Sequence, residues 1–333
     1  MIYFQIKKKS MKKEVKTTMA NKAHEEIPGN PSVSTSSNQK LNDRSNGKPL
    51  RVLSEEDWRF WMHNGYIVIK NAIPKDQAKA TADFIWEFDE KDPNDPSTWY
   101  AKPRAEMQMK ELAGTGMVEA YNHQTLWNNR QMQKVYDAFV DVWGTEKLWV
   151  TIDRVNLNFP QRPGEEKEGF IHWDYDPETR PQNVQGVIAL ADQMDESMGG
   201  FQCIPWLYRN YDTWKLTQPE DRHRFQPNLD SLQDKLVKVL MEAGDLLIFN
   251  STEPHGIRPN RSGKKVRIAQ YISMMPAEEE NQELKDWRIN SWKNRVAPVG
   301  YAFPGDPRNW EQEKYKTAEL SKLGKKLLGL ENW

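Results

Sequence analysis

The sequence is poor in the residues that staple small proteins together. Its 333 residues include one cysteine, Cys203. A single thiol excludes an internal disulfide and a thiolate-built zinc cluster, and its expected role is that of a small buried hydrophobe. Long apolar runs are missing as well, since none approaches the ~20 residues of a membrane-spanning helix. There is no surplus charge of either sign. Lys+Arg 47 against Asp+Glu 48 leave a net charge of −1, so no global field favours nucleic acid or an anionic membrane. The opening Met1-Ile2-Tyr3-Phe4 is too short for a signal-peptide core, and its lysines follow rather than precede it. A soluble, cytoplasmic protein acting on a small molecule is the expectation; the oligomeric state has no signature in the sequence.

Residues 1–49 are rich in Lys, Ser, Asn and Pro, as in Pro28-Gly29-Asn30-Pro31-Ser32. Too few apolar side chains are present there to offset the entropy of ordering, which predicts an unstructured tail. A single domain is expected over 50–333. Its first part reads as helices. Ser54 with Asp57 makes an N-terminal cap before Trp58 and Trp61, and Ala78, Ala82, Ile85 and Trp86 share one face of a helix over 75–88. A further helix over 131–143 has Val135, Tyr136, Phe139 and Val142 at core spacing. Beyond Gly144 short strand-like runs dominate, over 148–159, 184–191, 236–241, 245–250 and 266–274, with Gly, Pro and Asp between them. That pattern predicts an antiparallel sandwich or barrel. An amphipathic helix with Leu320, Leu323, Leu327 and Leu328 closes the chain.

The chemistry is concentrated in Ile171-His172-Trp173-Asp174-Tyr175-Asp176-Pro177. On an extended strand His172 and Asp174 point to one side, about 6.6 Å apart, so both can reach one ion. Trp173 then faces the wall, and Asp176 serves the turn with Pro177. His255, delivered by the apolar run Gly244-Asp245-Leu246-Leu247-Ile248-Phe249, supplies a third donor. Two histidines and a carboxylate form the facial triad of non-haem iron(II) oxygenases, although a zinc hydrolase uses the same ligand types. In Val266-Arg267-Ile268-Ala269-Gln270-Tyr271-Ile272-Ser273 one strand face carries Arg267, Ala269, Tyr271 and Ser273. An arginine on such a face suits a carboxylate, which points to 2-oxoglutarate. Arg258 and Arg261 lie near Pro259 and Gly263, where solvated turn positions are expected. Arg154, Asn156 and Asn158 share a face of another strand, and Gln185 lies on a third; they are candidates for co-substrate or substrate contact, or for a buried polar network.

From about Leu53 to Pro276 the chain resembles the phytanoyl-CoA dioxygenase family of Fe(II)- and 2-oxoglutarate-dependent oxygenases. The matching parts are Asn64-Gly65-Tyr66-Ile67-Val68-Ile69, His172-Trp173-Asp174, Gly199-Gly200-Phe201-Gln202-Cys203-Ile204-Pro205, and Gly244-Asp245-Leu246-Leu247 through His255 to Arg267, in that order. Trp206-Leu207-Tyr208 departs from the usual continuation of the glycine segment. The resemblance implies a mainly β fold with flanking helices, a double-stranded β-helix (jelly roll, cupin-like) with its core at about 148–276. It implies Fe(II) held by His172, Asp174 and His255. It further implies 2-oxoglutarate held by Arg267 and O2 as oxidant; Asn156, Gln185 and Ser273 are secondary candidates for 2-oxoglutarate contact, read from their strand positions. Decarboxylation to succinate and CO2 would accompany hydroxylation or another oxidation. Arg154, Asn158, Trp173, Trp206 and Tyr271 are the candidate substrate pocket. A metal-dependent hydrolase or isomerase on the same scaffold, and a non-catalytic jelly roll binding a small ligand, are the competing readings.

Overall fold

The computed structural model describes residues 39–100, 116–166, 168–298 and 303–333. Helix α1 (Glu55–Asn64) starts at Ser54, whose hydroxyl accepts from Asp57 N while Asp57 bonds back to Ser54 N, and ends on Gly65 at φ 72°. Strand β1 (Tyr66–Ile69) and helix α2 (Lys75–Phe88) follow. After β2 (Met117–Val118) come α3 (Gln124–Arg130) and α4 (Gln133–Trp143). The long strand expected over 148–159 is two strands, β3 (Leu148–Val150) and β4 (Val155–Asn158). Next are β5 (Val184–Ala189), β6 (Met198–Cys203), helix α5 (Pro205–Lys215) and β7 (Val237–Lys238). Then come β8 (Leu246–Asn250), β9 (His255–Asn260), β10 (Arg267–Tyr271) and β11 (Met274–Pro276). Helices α6 (Gln282–Asn294), α7 (Trp310–Lys314) and α8 (Lys322–Leu328) complete the chain. No described helix is long and apolar enough to cross a membrane.

All strand pairs are antiparallel, in a six-stranded sheet ordered β1-β8-β5-β10-β4-β2, a three-stranded sheet β7-β6-β9 and the pair β11-β3. The register divides the large sheet into two unlike faces, because directly opposed residues point the same way. Ile67, Ile69, Leu246, Ile248, Ile188, Ile268, Val155 and Leu157 share a large apolar core with Trp61, Phe84, Ile85, Trp127, Phe139 and Trp143 of the helices. The other face presents Tyr66, Val68, Leu247, Phe249, Val187, Ala269 and Tyr271 to Phe201 and Cys203 of the small sheet and to Val239 and Met241 just beyond it. Cys203 is buried there, as its sequence setting predicts.

Three local expectations change. Residues 1–38 of the expected tail lie outside the described residues, while 39–49 pack on the domain. Gln39 Nε2 donates to Trp143 O (2.6 Å), Asn42 N to Val142 O (2.9 Å) and Asn46 Nδ2 to Gly144 O (2.6 Å). These polar residues satisfy carbonyls left open where α4 ends, so low hydrophobicity there marks a helix-end clasp. Pro205–Lys215, where the chain departs from the family pattern, is a helix whose Leu207, Tyr211 and Trp214 are buried. Arg258 and Pro259 stand in strand β9 rather than in a turn.

Candidate metal centre

The centre forms where two chain segments cross-pair. His172 N donates to His255 O at 2.8 Å and His255 N to His172 O at 3.0 Å, so both residues belong to one hydrogen-bonded antiparallel pair. Gly256 makes this approach feasible, since a Cβ there would lie 1.7 Å from Phe170 O. The pairing sets the imidazoles on one side with ring centroids 4.7 Å apart. Asp174, two residues on, joins them: His172 Nε2 lies 3.1 Å from its Oδ1 and His255 Nε2 3.3 Å from its Oδ2. One donor atom from each of the three lies within 4.8 Å of the others.

The surroundings fix these groups in ligand-ready form. His255 Nδ1 is 3.0 Å from Glu253 O, an acceptor only, so Nδ1 carries the proton and Nε2 presents its lone pair. Gln185 donates from Nε2 to Asp174 Oδ2. Burial works to raise the Asp174 pKa, but His172 and His255 outweigh it and hold the carboxyl well below its usual range. At His172 burial disfavours the charged ring, and the adjacent Asp174 carboxylate overcomes it to raise the pKa. Three polar donors thus converge with no other cation between them, which fits a divalent metal. Phe249 and Phe201 wall off His255, with ring centroids 4.4 and 5.8 Å away.

Further along the same interior, Arg267 is fully buried. Its Nη1 donates to Asn156 Oδ1 at 2.8 Å and its Nε to Gln193 Oε1 at 3.3 Å. Its Nη2 is buried without a hydrogen-bond partner, and among the described residues no acid pairs with it. A desolvated guanidinium with an unused fork is a receptor for an anion.

The other predicted site residues divide. Asn156 and Gln185 belong to the site, Asn156 as partner of Arg267 and Gln185 as partner of Asp174. Asn158 stands opposite Arg267 across the β4–β10 pairing, and its Oδ1 is buried and unbonded. Tyr271 packs against the interior cluster. Ser273 is drawn away, because its hydroxyl donates to Val184 O and its backbone pairs with Thr151. Trp173 and Trp206, expected in the pocket wall, lie in a separate apolar cluster with Ile204, Leu207, Tyr211 and Trp214. Trp173 Nε1 is spent on Thr252 O at 3.0 Å. Strand alternation moves Trp173 off the site, and the unforeseen helix α5 receives it. Asp176 serves the turn as expected, accepting from Glu178 N at 3.0 Å. Gln193, the second partner of Arg267, and Glu119, whose Oε1 lies 2.9 Å from Nη1 of the candidate Arg154, carried no motif and were missed.

Two imidazoles and a carboxylate converge as a candidate metal centre, and a buried arginine without an ion-pair partner among the described residues stands on the same face of the large sheet. The chain belongs to the phytanoyl-CoA dioxygenase (PhyH) family, whose model matches residues 61–269. It is 26% identical over 249 residues to Ava biosynthesis cluster protein O of Aspergillus versicolor, covering 66% of this chain and 77% of that protein. It is 22% identical over 316 residues to a Dictyostelium discoideum protein named for phytanoyl-CoA dioxygenase, covering 82% and 86%. The crystal structure of the GlcNAc inducible gene 2 protein of Candida albicans has the same fold, with a TM-score of 0.60 at 13% identity over 96% of this chain and 84% of that one.

Proposed function

We propose that the protein is a non-haem Fe(II)- and 2-oxoglutarate-dependent dioxygenase that hydroxylates or otherwise oxidises a small molecule. Family membership supports an oxygenase, and the two facing antiparallel sheets support a jelly-roll, cupin-like core within one domain. The near-neutral charge favours a soluble, cytoplasmic enzyme with no nucleic-acid or membrane partner. The observation that carries the reading is Arg267, a buried cation whose bonded neighbours among the described residues are the neutral Asn156 and Gln193.

His172 and His255, through their Nε2 atoms, and Asp174 would hold the iron. Iron held there would supply the redox chemistry by which O2 oxidises 2-oxoglutarate to succinate and CO2 together with the substrate. The protein's own part is positional. Glu253 O keeps His255 in the metal-binding tautomer, Gln185 restrains the Asp174 carboxylate, and Phe201 and Phe249 exclude water beside His255. Arg267 would fix the distal carboxylate of 2-oxoglutarate through the fork that Asn156 leaves free.

Anaerobic titration of the Fe(II)-loaded protein with 2-oxoglutarate is the test. The expected result is the weak visible charge-transfer band of the chelate, with an apparent Kd that rises roughly a hundredfold in Arg267→Met. Folded, metal-loaded protein without that band would return the chain to the hydrolase or binding-protein readings.

A further inference from the structure

Resting on the 2-oxoglutarate reading, we infer that Arg258 is a specificity-determining residue of the co-substrate site, adding a second buried positive charge behind Arg267 that selects for a distal carboxylate. The turn expected around Arg258 would have left it solvated. In β9 it is 3% exposed and projects among main-chain carbonyls. Its Nη1 donates to Phe201 O at 2.6 Å and to Val239 O at 3.4 Å, while Nη2 reaches Gly199 O at the limit of close contact. Its Nε is buried with no partner.

Arg258 and Arg267 both approach Gln193. Arg267 Nε contacts Gln193 Oε1 at 3.3 Å. A Cβ placed on Gly200 would be 2.9 Å from Arg258 Nη2 and 3.1 Å from the same Gln193 oxygen, so both border the gap beside Gly200. Gly200, at φ 104°, keeps that gap open. Burial pushes the Arg258 pKa down to about 10, with the Arg267 charge as the next cause. Glu196, the acid whose field reaches Arg258, is bonded to Lys238 at 2.8 Å instead.

Neutral partners bind both guanidiniums, and among the described residues neither makes an ion pair. Two like charges held together out of water repel and lose hydration. Carbonyl dipoles offset part of this for Arg258 but add no opposite charge. An anion placed on Arg267 interacts with both cations, one by direct hydrogen bonds and the other through a low-dielectric interior. Arg258 is therefore a positioning and field residue, and its effect is confined to ligands that bring a negative charge to this end of the site.

The experiment compares two ligands in the full-length protein loaded with Mn(II). One is 2-oxoglutarate; the other is 2-oxobutyrate, which keeps the metal-chelating keto acid and lacks the distal carboxylate. The readout is the ratio of their dissociation constants by calorimetry, and that ratio is insensitive to partial unfolding because both ligands report on the same folded fraction. In Arg258→Gln the preference for 2-oxoglutarate should fall roughly tenfold, entirely through weaker 2-oxoglutarate binding. Arg258→Lys, which keeps the charge, should retain most of the preference. An unchanged ratio in Arg258→Gln, or equal losses in the Gln and Lys variants, overturns the inference. A wild-type protein that binds the two ligands equally overturns the 2-oxoglutarate reading itself, a result distinct from either.

Discussion

Arg154 and Arg267 begin from similar circumstances and end in opposite ones. Both are buried, and both belong to the pairing of β4 with β10, where Arg154 O accepts from Tyr271 N at 3.0 Å and Arg267 stands opposite Asn158. Arg154 Nη1 meets Glu119 Oε1 at 2.9 Å, and its guanidinium lies 4.6 Å from the Phe303 ring centroid. Glu119 is bonded in turn by the Tyr121 hydroxyl and, at 3.3 Å, by Gly305 N. Among the described residues Arg267 has no such acid. The protein supplies the counter-charge for one arginine, and in the proposed function a ligand supplies it for the other. Arg154, named from the sequence as a substrate-pocket candidate, is thereby assigned to a polar network that the chain completes itself.

The largest expected effect comes from breaking the completed pair. Glu119→Ala takes from buried Arg154 its closest carboxylate, leaving Asp153 Oδ1 at 3.9 Å from Nε, and removing one partner of a buried ion pair costs about 3–5 kcal/mol. Denaturant unfolding should show it as a lowered midpoint with unchanged slope, and Glu119→Ala combined with Arg154→Met should recover much of the loss. A single variant as stable as wild type would mean that the pair does not hold this part of the interior together.

A middle-sized effect is expected at the metal end, where partners rather than ligands are altered. Gln185→Leu removes the amide that restrains Asp174 while keeping all three donors. Outer partners of this kind are worth about 10–100-fold in metal affinity. Mn(II) titration should show that weakening, with the 2-oxoglutarate to 2-oxobutyrate ratio preserved because the distal-carboxylate end is untouched. Metal affinity equal to wild type would reduce the Gln185 contact to packing.

The two ends also differ in how far they could be read from the sequence. His172, Asp174 and His255 were legible because strand alternation and chain order bring like-facing donors together, and the cross-strand pair fulfils that geometry. Arg267 was legible for the same reason, as the cation of an alternating strand. Arg258 was not. Pro259 beside it and Gly263 beyond it are turn signals, and only pairing with β6, through Gly199 and Gly200, makes this segment a strand. The helix around Trp206 and Tyr208 was hidden similarly, its aromatic residues having no clean period until the cluster around Trp173 gives them a shared face. Helices α2 and α4 were recognisable almost to the residue, since their apolar faces meet one continuous core. Glu119 lies in no motif, and what marks it is its partner, which sequence order does not disclose.

The smallest stability effect should come from the arginine that most affects binding. Arg267→Met removes a buried charge whose Nη2 has no partner and replaces it with an apolar chain of similar reach. The change removes the Arg267 donors from Asn156 Oδ1 and Gln193 Oε1, at a cost of up to about 1–3 kcal/mol for a neutral acceptor left unpaired. It also relieves the desolvation of a guanidinium and its repulsion with Arg258, a gain of the same order. These terms oppose each other, so the ligand-free variant should unfold within about 1 kcal/mol of wild type, in contrast to the loss expected for Glu119→Ala. Adding 2-oxoglutarate to the Mn(II)-loaded proteins should then separate them: wild type rises further in Tm as the anion reaches Arg267, and Arg267→Met rises far less at the same ligand concentration. If the ligand-free variant instead lost as much stability as Glu119→Ala, Arg267 would be a structural cation like Arg154, and the contrast between the two would fail.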